Sequence, residues 1–487
     1  MRRHLTAALL ALAAAACLQA RAAHAGNANP LGFARTFTCT ADPDAASTVP
    51  GWTIVSGSPA LRCAEALPSA WPDRPAPRVV IANGPYGASA LERVIPLAAA
   101  ASRRRFSLSA SFAAFGEGPG RAVLTGTFLG PAGQQLGAPV VLRGPPAAGR
   151  KLPLRFEPHR VAGIIPPGAA GIALRLDLSG RTAIARSYVG AMRLTTSPAM
   201  TFPPPAPPPA RVPPFDHVFL IMMENTDYGQ VIGDTQDAPY LNSLAARGAV
   251  LANYQAVYHP SDQNYLAIAG GDTFVRGGVY FPKIHIAARN LGDLLEAAGK
   301  SWKSYLEGMG MPCNVTTRYD RNFEPDDAPF INFTDVRRDP GRCRAHLVDL
   351  AEWFEDLKTR ANTPDFAWLA ADDYDDGEMP GNGSPKSLQV QDAWLKKTLA
   401  PLFASPAWRE QRSLLILTWD ESSTVVDNHI ATIVLGSRGT VRTAYVSRIR
   451  YDHFSSARTV EAALGLPSMT SNDAYAPAFN DVFADGR

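Results

Sequence analysis

A proline-rich stretch decides how this chain can fold. Residues 198–214 include Phe202-Pro-Pro-Pro-Ala-Pro-Pro-Pro209. Each ring fixes φ and removes an N–H, so the run enters neither a helix interior nor the middle of a sheet and reads as an extended, semi-rigid linker. At 487 residues the chain is in any case too long for one ordinary domain. The predicted organisation is a leader over residues 1–25, a front domain over 29–197, the linker over 198–214 and a back domain over 215–487.

Arg2 and Arg3 precede an apolar stretch from Leu5 to Leu18, and Ala23-His24-Ala25 supplies a small-x-small pattern before Gly26. This is the arrangement of a cleaved secretory signal. The stretch is too short for a retained transmembrane helix, so the mature protein is expected to be secreted or periplasmic, with lipoprotein anchoring through Cys17 as the rival. Export permits disulfides, and the pairing that keeps each bridge inside one domain is Cys39 with Cys63 and Cys313 with Cys343. Neither pair has C-x-x-C spacing, which removes zinc-ribbon and thioredoxin readings.

The front domain carries short β-type runs: Trp52 to Val55, Arg78 to Ile81, Arg105 to Phe112, Ala122 to Phe128, Gly171 to Asp177 and Tyr188 to Leu194. Apolar and polar residues alternate in several of them and turn signals separate them, which predicts an antiparallel β-sandwich. The phrases Gly51-Trp-Thr-Ile-Val-Ser-Gly57 and Ile165-Pro-Pro-Gly-Ala-Ala-Gly-Ile172 resemble jelly-roll modules of the galactose-binding or carbohydrate-binding kind. Trp52 and Trp71 are either sugar-stacking rings or core residues. Residues 26–200 carry 18 basic against 8 acidic groups, while 201–487 carry 26 against 36. A polysaccharide or an anionic surface is therefore a candidate partner of the front domain. Nucleic acid is not one, since no binding motif is present and the back half is net acidic.

Beyond Pro214, long apolar runs alternate with helical patterns at Tyr240–Gly248, Arg289–Gly299 and Gln389–Phe403, the signature of a mostly parallel sheet covered by helices. Three buried strands end in acids: His217–Met223 runs into Glu224-Asn225, Phe366–Ala371 into Asp372-Asp-Tyr-Asp-Asp376, and Ser413–Trp419 into Asp420-Glu421. A parallel sheet gathers such ends on one rim. Crowded carboxylates repel unless a cation neutralises them, and oxygen donors suit Mg²⁺, Ca²⁺ or Mn²⁺, with Zn²⁺ or Fe where histidines join. Ser261 falls between the apolar segment Val250–Tyr258 and a short helix ended by Gly270-Gly271, at a strand-to-helix turn where free N–H groups favour an anion.

Glu224-Asn225, His259-Pro-Ser-Asp-Gln-Asn-Tyr265, Thr418-Trp-Asp-Glu421, Asn428-His429, Tyr451-Asp-His-Phe-Ser455 and Thr459-Val-Glu-Ala-Ala-Leu-Gly-Leu-Pro467 together resemble the secreted phosphoesterase family, which holds bacterial phospholipases C and acid phosphatases and has the alkaline-phosphatase-like fold. The likeness runs over about residues 215–487. It implies Ser261 as a nucleophile passing through a phosphoseryl intermediate, and Glu224, Asn225, Asp420 and Glu421 as metal ligands. It further implies His429 and His453 at the phosphoryl oxygens or the leaving alcohol, and His259 and Asn264 shaping the nucleophile turn. Where many members have Asp-Gly-His-Asp, this chain reads Asp376-Gly377-Glu378. Asp376 and Glu378 are thus substrate-side candidates, with Glu378 an acid, a metal ligand or neither. Cys313 and Cys343 lack the C-x-P-x-R context of sulfatases. The rival from another class is a surface-binding protein that keeps the fold without turnover.

Overall fold

The computed structural model describes residues 29–32, 37, 39, 45–67, 69–70, 78–84, 87–98, 101, 103–180, 186–202, 205–275, 279–317, 322–424 and 428–484. The expected leader, Cys17 and Trp71 lie outside them. From residue 53 to 197 the chain forms two antiparallel five-stranded sheets. The first orders its strands Thr53–Ser56, Ser89–Pro96, Gly171–Leu178, Ala122–Leu129, Val140–Arg143. The second orders them Glu157–Ile164, Arg105–Phe115, Arg186–Ser197, Val79–Ala82, Ala60–Cys63. Period-two alternation sends Leu124 and Phe128 from one sheet, and Leu108 and Phe112 from the other, into one shared core. Trp52 belongs to that core at 6 % exposure, so its ring face is not available for stacking on a sugar. Cys39 and Cys63 are bridged, and so are Cys313 and Cys343.

The proline-rich segment has no regular secondary structure over its described residues, as its rings require, but it does not hang free. Phe202 is buried in the front core. Tyr475 and Asn480 side chains donate to the Pro205 and Pro209 carbonyls, and the Arg211 N–H donates to Asn480.

The back sheet has eight strands in the order Leu347–Asp349, Trp302–Leu306, Phe366–Ala370, His217–Met223, Ser413–Trp419, Thr432–Gly436, Ala249–Leu251, Tyr445–Ser447. The first five run parallel, and Thr432–Gly436 is antiparallel to both of its neighbours. Every residue of His217–Met223 and of Ser413–Trp419 is buried, because the strands are covered on both faces, which is why they read as unbroken apolar runs. The helices expected at three places are Pro239–Arg247, Leu291–Ala297 and Pro385–Ala404. Register builds the rim: Met223 pairs with Trp419 and Ile221 with Leu369, so the acids that follow these strands emerge on one edge. A small three-stranded sheet, His429–Ile430, Tyr254–Gln255 and Tyr451–Asp452, brings in the other predicted segments.

Among the described residues no helix is long and apolar enough to cross a membrane.

Candidate active site

The chain turns sharply as it leaves the central strand, with Asn225 at φ 44°, a left-handed conformation that asparagine tolerates better than most residues. That turn aims the Asn225 N–H at Asp420 Oδ1 (2.8 Å) and its Nδ2 at Glu224 Oε2 (2.7 Å). Ser261 immediately precedes the helix Asp262–Gly270, all nine residues of which are buried. Asn264 clamps the approach to it: Oδ1 accepts the N–H groups of Val257 and Tyr258, both at 3.0 Å, and Nδ2 donates to the Tyr258 carbonyl. Asn428 Nδ2 donates to the same carbonyl. Ser261 Oγ then donates to Glu224 Oε2 at 3.3 Å, and Tyr265, one helical turn on, donates to Glu224 Oε1 at 2.5 Å.

A hydroxyl, an amide and two carboxylates from three segments thus meet at one point. Burial, then repulsion from Asp420, Asp376 and Glu378, pushes the Glu224 carboxyl well above its ordinary range. Asp420 is raised by burial against the opposing pull of Asn225 N–H, Ser261 and Glu224. Asp376, which accepts from the Glu378 N–H, is raised well above its usual range by burial, despite that hydrogen bond. Glu378 is exposed, yet partial desolvation, followed by repulsion from Asp420 and Glu324, raises it too. Among the described residues no Lys or Arg forms an ion pair with Glu224, Asp376, Glu378 or Asp420. Asp420 Oδ2 is buried with no hydrogen-bond partner. Uncompensated hard oxygens with an orphaned carboxylate atom fit a divalent cation in place of the protons the cluster would otherwise hold.

Glu421 is turned elsewhere. Its Oε2 lies 2.6 Å from His259 Nδ1. Burial lowers the imidazole to about 4, and burial with Asp420 behind it raises the carboxyl to about 10, so burial disfavours the charged form of both partners at this contact. Glu224, Asp420 and Glu421 do not close into a tight triad; among the described residues the one carboxylate triad with donor atoms within 4.8 Å of each other is Glu307, Asp372 and Asp375. The acidic turn therefore divides, Asp372 and Asp375 facing Glu307 while Asp376 and Glu378 face the rim.

The two downstream histidines make no hydrogen bond or ion pair with Ser261, Glu224 or Asp420. His453 begins the helix His453–Ala463, is fully buried, and bonds through Nε2 to the Trp419 carbonyl at 3.0 Å. Burial lowers it to about 4, so it is a neutral support beneath the turn that carries Asp420. His429 stacks on Tyr228 at 4.6 Å and bonds through Nε2 to the Ala252 carbonyl. His429 lies in the small sheet, whose two-residue strands have no periodicity to read.

Sequence reading passed over other groups at this rim. Tyr265 closes the motif His259–Tyr265, and nothing in its spacing marks it as a donor to Glu224. Asp262 shares a hydrogen bond with Asp326 and is raised to about 6 by burial, while Asp326 and Asp327 are raised well above their usual range by burial and then by neighbouring carboxylates. Their only signal is the acid-rich turn Glu324-Pro-Asp-Asp327.

The profile of the Phosphoesterase family matches residues 234–467, which contain Ser261, Asp420 and Glu421 and leave Glu224 and Asn225 just outside. A phosphatidylinositol-3-phosphatase of Mycobacterium tuberculosis is 30 % identical over 284 residues, 56 % of this chain and 85 % of that protein. A probable acid phosphatase of Kluyveromyces lactis is 30 % identical over 272 residues, 53 % of this chain, and a phosphate-repressible acid phosphatase of Penicillium chrysogenum is 28 % identical over 266. The chain spans 60 % of the length of each of these two fungal proteins. Among solved structures, a Vibrio parahaemolyticus protein of the alkaline phosphatase superfamily overlays 55 % of this chain and 71 % of its own, with 14 % identity and a TM-score of 0.41. With 85 % of a relative covered at 30 % identity and the family profile matched across the Ser261 and Asp420 segments, the chain belongs to the phosphoesterase family.

Proposed function

We propose that the protein is an exported, metal-dependent hydrolase of phosphate esters, of acid phosphatase or phospholipase C-like type, with Ser261 as its nucleophile. The observation that carries this reading is the placement of Ser261 Oγ 3.3 Å from Glu224 Oε2, beside an Asp420 oxygen that is buried and unpartnered. Glu224, Asn225 and Asp420 would hold the cation, and Glu421 offers its free oxygen while His259 fixes the other, as an outer partner orients a ligand. Bound there, a divalent ion supplies neutralisation of the phosphoryl oxygens and a lowered pKa for the serine hydroxyl.

Ser261 attacks phosphorus; the new Oγ–P bond forms as the bond to the alcohol breaks, leaving a phosphoseryl group. Water then attacks that phosphorus, releasing phosphate, or a phosphomonoester from a diester, and restoring the hydroxyl. The departing alcohol needs a proton. Glu378 fits this task better than His429 or His453, because it is raised and its side chain is exposed. Asn264 and His453 act as positioning residues. The order of the front strands, in which the last two insert between earlier ones in both sheets, supports a jelly roll for residues 29–197, joined by the 198–214 segment to a phosphoesterase domain over 215–487.

The test is hydrolysis of p-nitrophenyl phosphate, a phosphodiester and a phospholipid by the full chain, chelated and then resupplied with Mg²⁺, Ca²⁺, Mn²⁺, Zn²⁺ or Fe²⁺. Turnover should vanish on chelation, return with at least one ion, and be absent in a folded Ser261→Ala variant. An active Ser261→Ala protein overturns the nucleophile.

A further inference from the structure

The front domain carries an arginine row that the catalytic reading leaves unused. Ser109, in the strand Arg105–Phe115, pairs with Arg160 on one side and with Arg193 on the other. Residues opposite one another project from the same face, so the two arginines leave the backbone two strand spacings apart, about 10 Å. Ser107 pairs with Ala162 and Thr195 on that face, and Arg105 lies two residues further along it. The intervening Phe106 and Leu108 point into the core. Arg105, Arg160 and Arg193 are exposed, and a groove of about 450 Å³ lies among Arg105, Ser107, Arg160 and Thr195.

Among the described residues, none of the three arginines has a carboxylate partner; the front-domain ion pairs involve Arg150 and Arg175 instead. Arg160 Nε donates only to Ser107 Oγ, at 2.8 Å. A ligand for this face is therefore anionic. The groove offers no exposed aromatic ring on which a neutral sugar or a nucleobase would stack, since its one aromatic, Phe106, is buried. It presents one large exposed apolar side chain, Ile164, too little for insertion into lipid. What remains is a chain bearing both acid groups and hydroxyls. We propose that this face binds an acidic polysaccharide, its carboxylates paired with Arg160, Arg193 and Arg105 and its hydroxyls bonded to Ser107, Ser109 and Thr195.

Binding of the full chain to polygalacturonate, to neutral dextran and to phosphatidylglycerol vesicles tests this at low and at physiological salt. The expected result is binding to polygalacturonate alone, weakened by salt, with Arg160→Glu/Arg193→Glu reducing affinity about tenfold or more. The pair Arg160→Lys/Arg193→Lys should retain most of it, and Arg143→Glu, on the other sheet, should leave it unchanged, with p-nitrophenyl phosphate turnover equal throughout. No binding at low salt, equal binding to dextran, equal loss in Arg143→Glu, or vesicle binding that vanishes with the Arg160 and Arg193 reversals would each overturn the proposal.

Discussion

Replacing Tyr265 by phenylalanine removes one oxygen and keeps the ring that packs near Trp368. The lost contact is the 2.5 Å hydrogen bond to Glu224 Oε1, whose other oxygen already serves Asn225 and Ser261. Both residues are buried, so no water replaces the donor. A hydrogen bond to a charged group is worth about 1.5–3 kcal/mol, against about 0.5–1.5 for a neutral pair. Without a cation, burial and the neighbouring carboxylates favour the protonated form of Glu224, for which the substitution costs the smaller amount. With a cation the carboxylate is charged and loses the larger one. At about 1.4 kcal/mol per decade, the difference predicts that Tyr265→Phe needs roughly tenfold more metal for half-maximal activity, while turnover at saturating metal stays close to that of the parent. The assay is metal titration of chelated enzyme with p-nitrophenyl phosphate, beside thermal melts with and without metal. An unchanged metal requirement, or an equal loss of stability with and without metal, would refute the reasoning that Tyr265 serves the charged form of Glu224.

If Glu378 supplies the leaving-group proton, Glu378→Gln should lower turnover of alkyl phosphates by about 10²-fold and spare p-nitrophenyl phosphate, whose alcohol leaves without help; equal losses on both would mean a binding role. Away from the site, Glu461 is fully buried and raised well above its usual range by burial and then by Asp473. The folded state therefore holds this proton more tightly than the unfolded chain, so its contribution is complete below the unfolded carboxyl range near 4.3 and is lost as pH rises through the folded pKa. Urea unfolding across that window should show a decline of up to about 1.4 kcal/mol per pH unit from this group, which Glu461→Gln removes.

Sequence reading served best where one physical cause governs a whole segment. His217–Met223 and Ser413–Trp419 are unbroken apolar because both faces are covered, and their ends had to carry the acids now found with Ser261. It failed on Ser89–Pro96, where Glu92 faces solvent and pairs with Arg175 on the neighbouring strand, so the apolar pattern is interrupted by charges whose partners are distant in the chain. The rings of His429, in a two-residue strand, and of His453, at the start of a helix, meet backbone carbonyls that no local pattern announces. The resemblance implies Glu421 as a metal ligand, and no local pattern shows that its neighbour in space is His259, more than a hundred residues earlier. Side-chain aim is a tertiary property, and adjacency in sequence does not fix it.

The hydroxyl at position 261 can be interrogated without reference to metal identity. Acid quench of the full chain during turnover of p-nitrophenyl phosphate, followed by peptide mass analysis, should find one phosphoryl group on Ser261 and none in Ser261→Ala. A phosphoryl group on another residue, or steady turnover with none trapped and Ser261→Ala still active, would contradict the account.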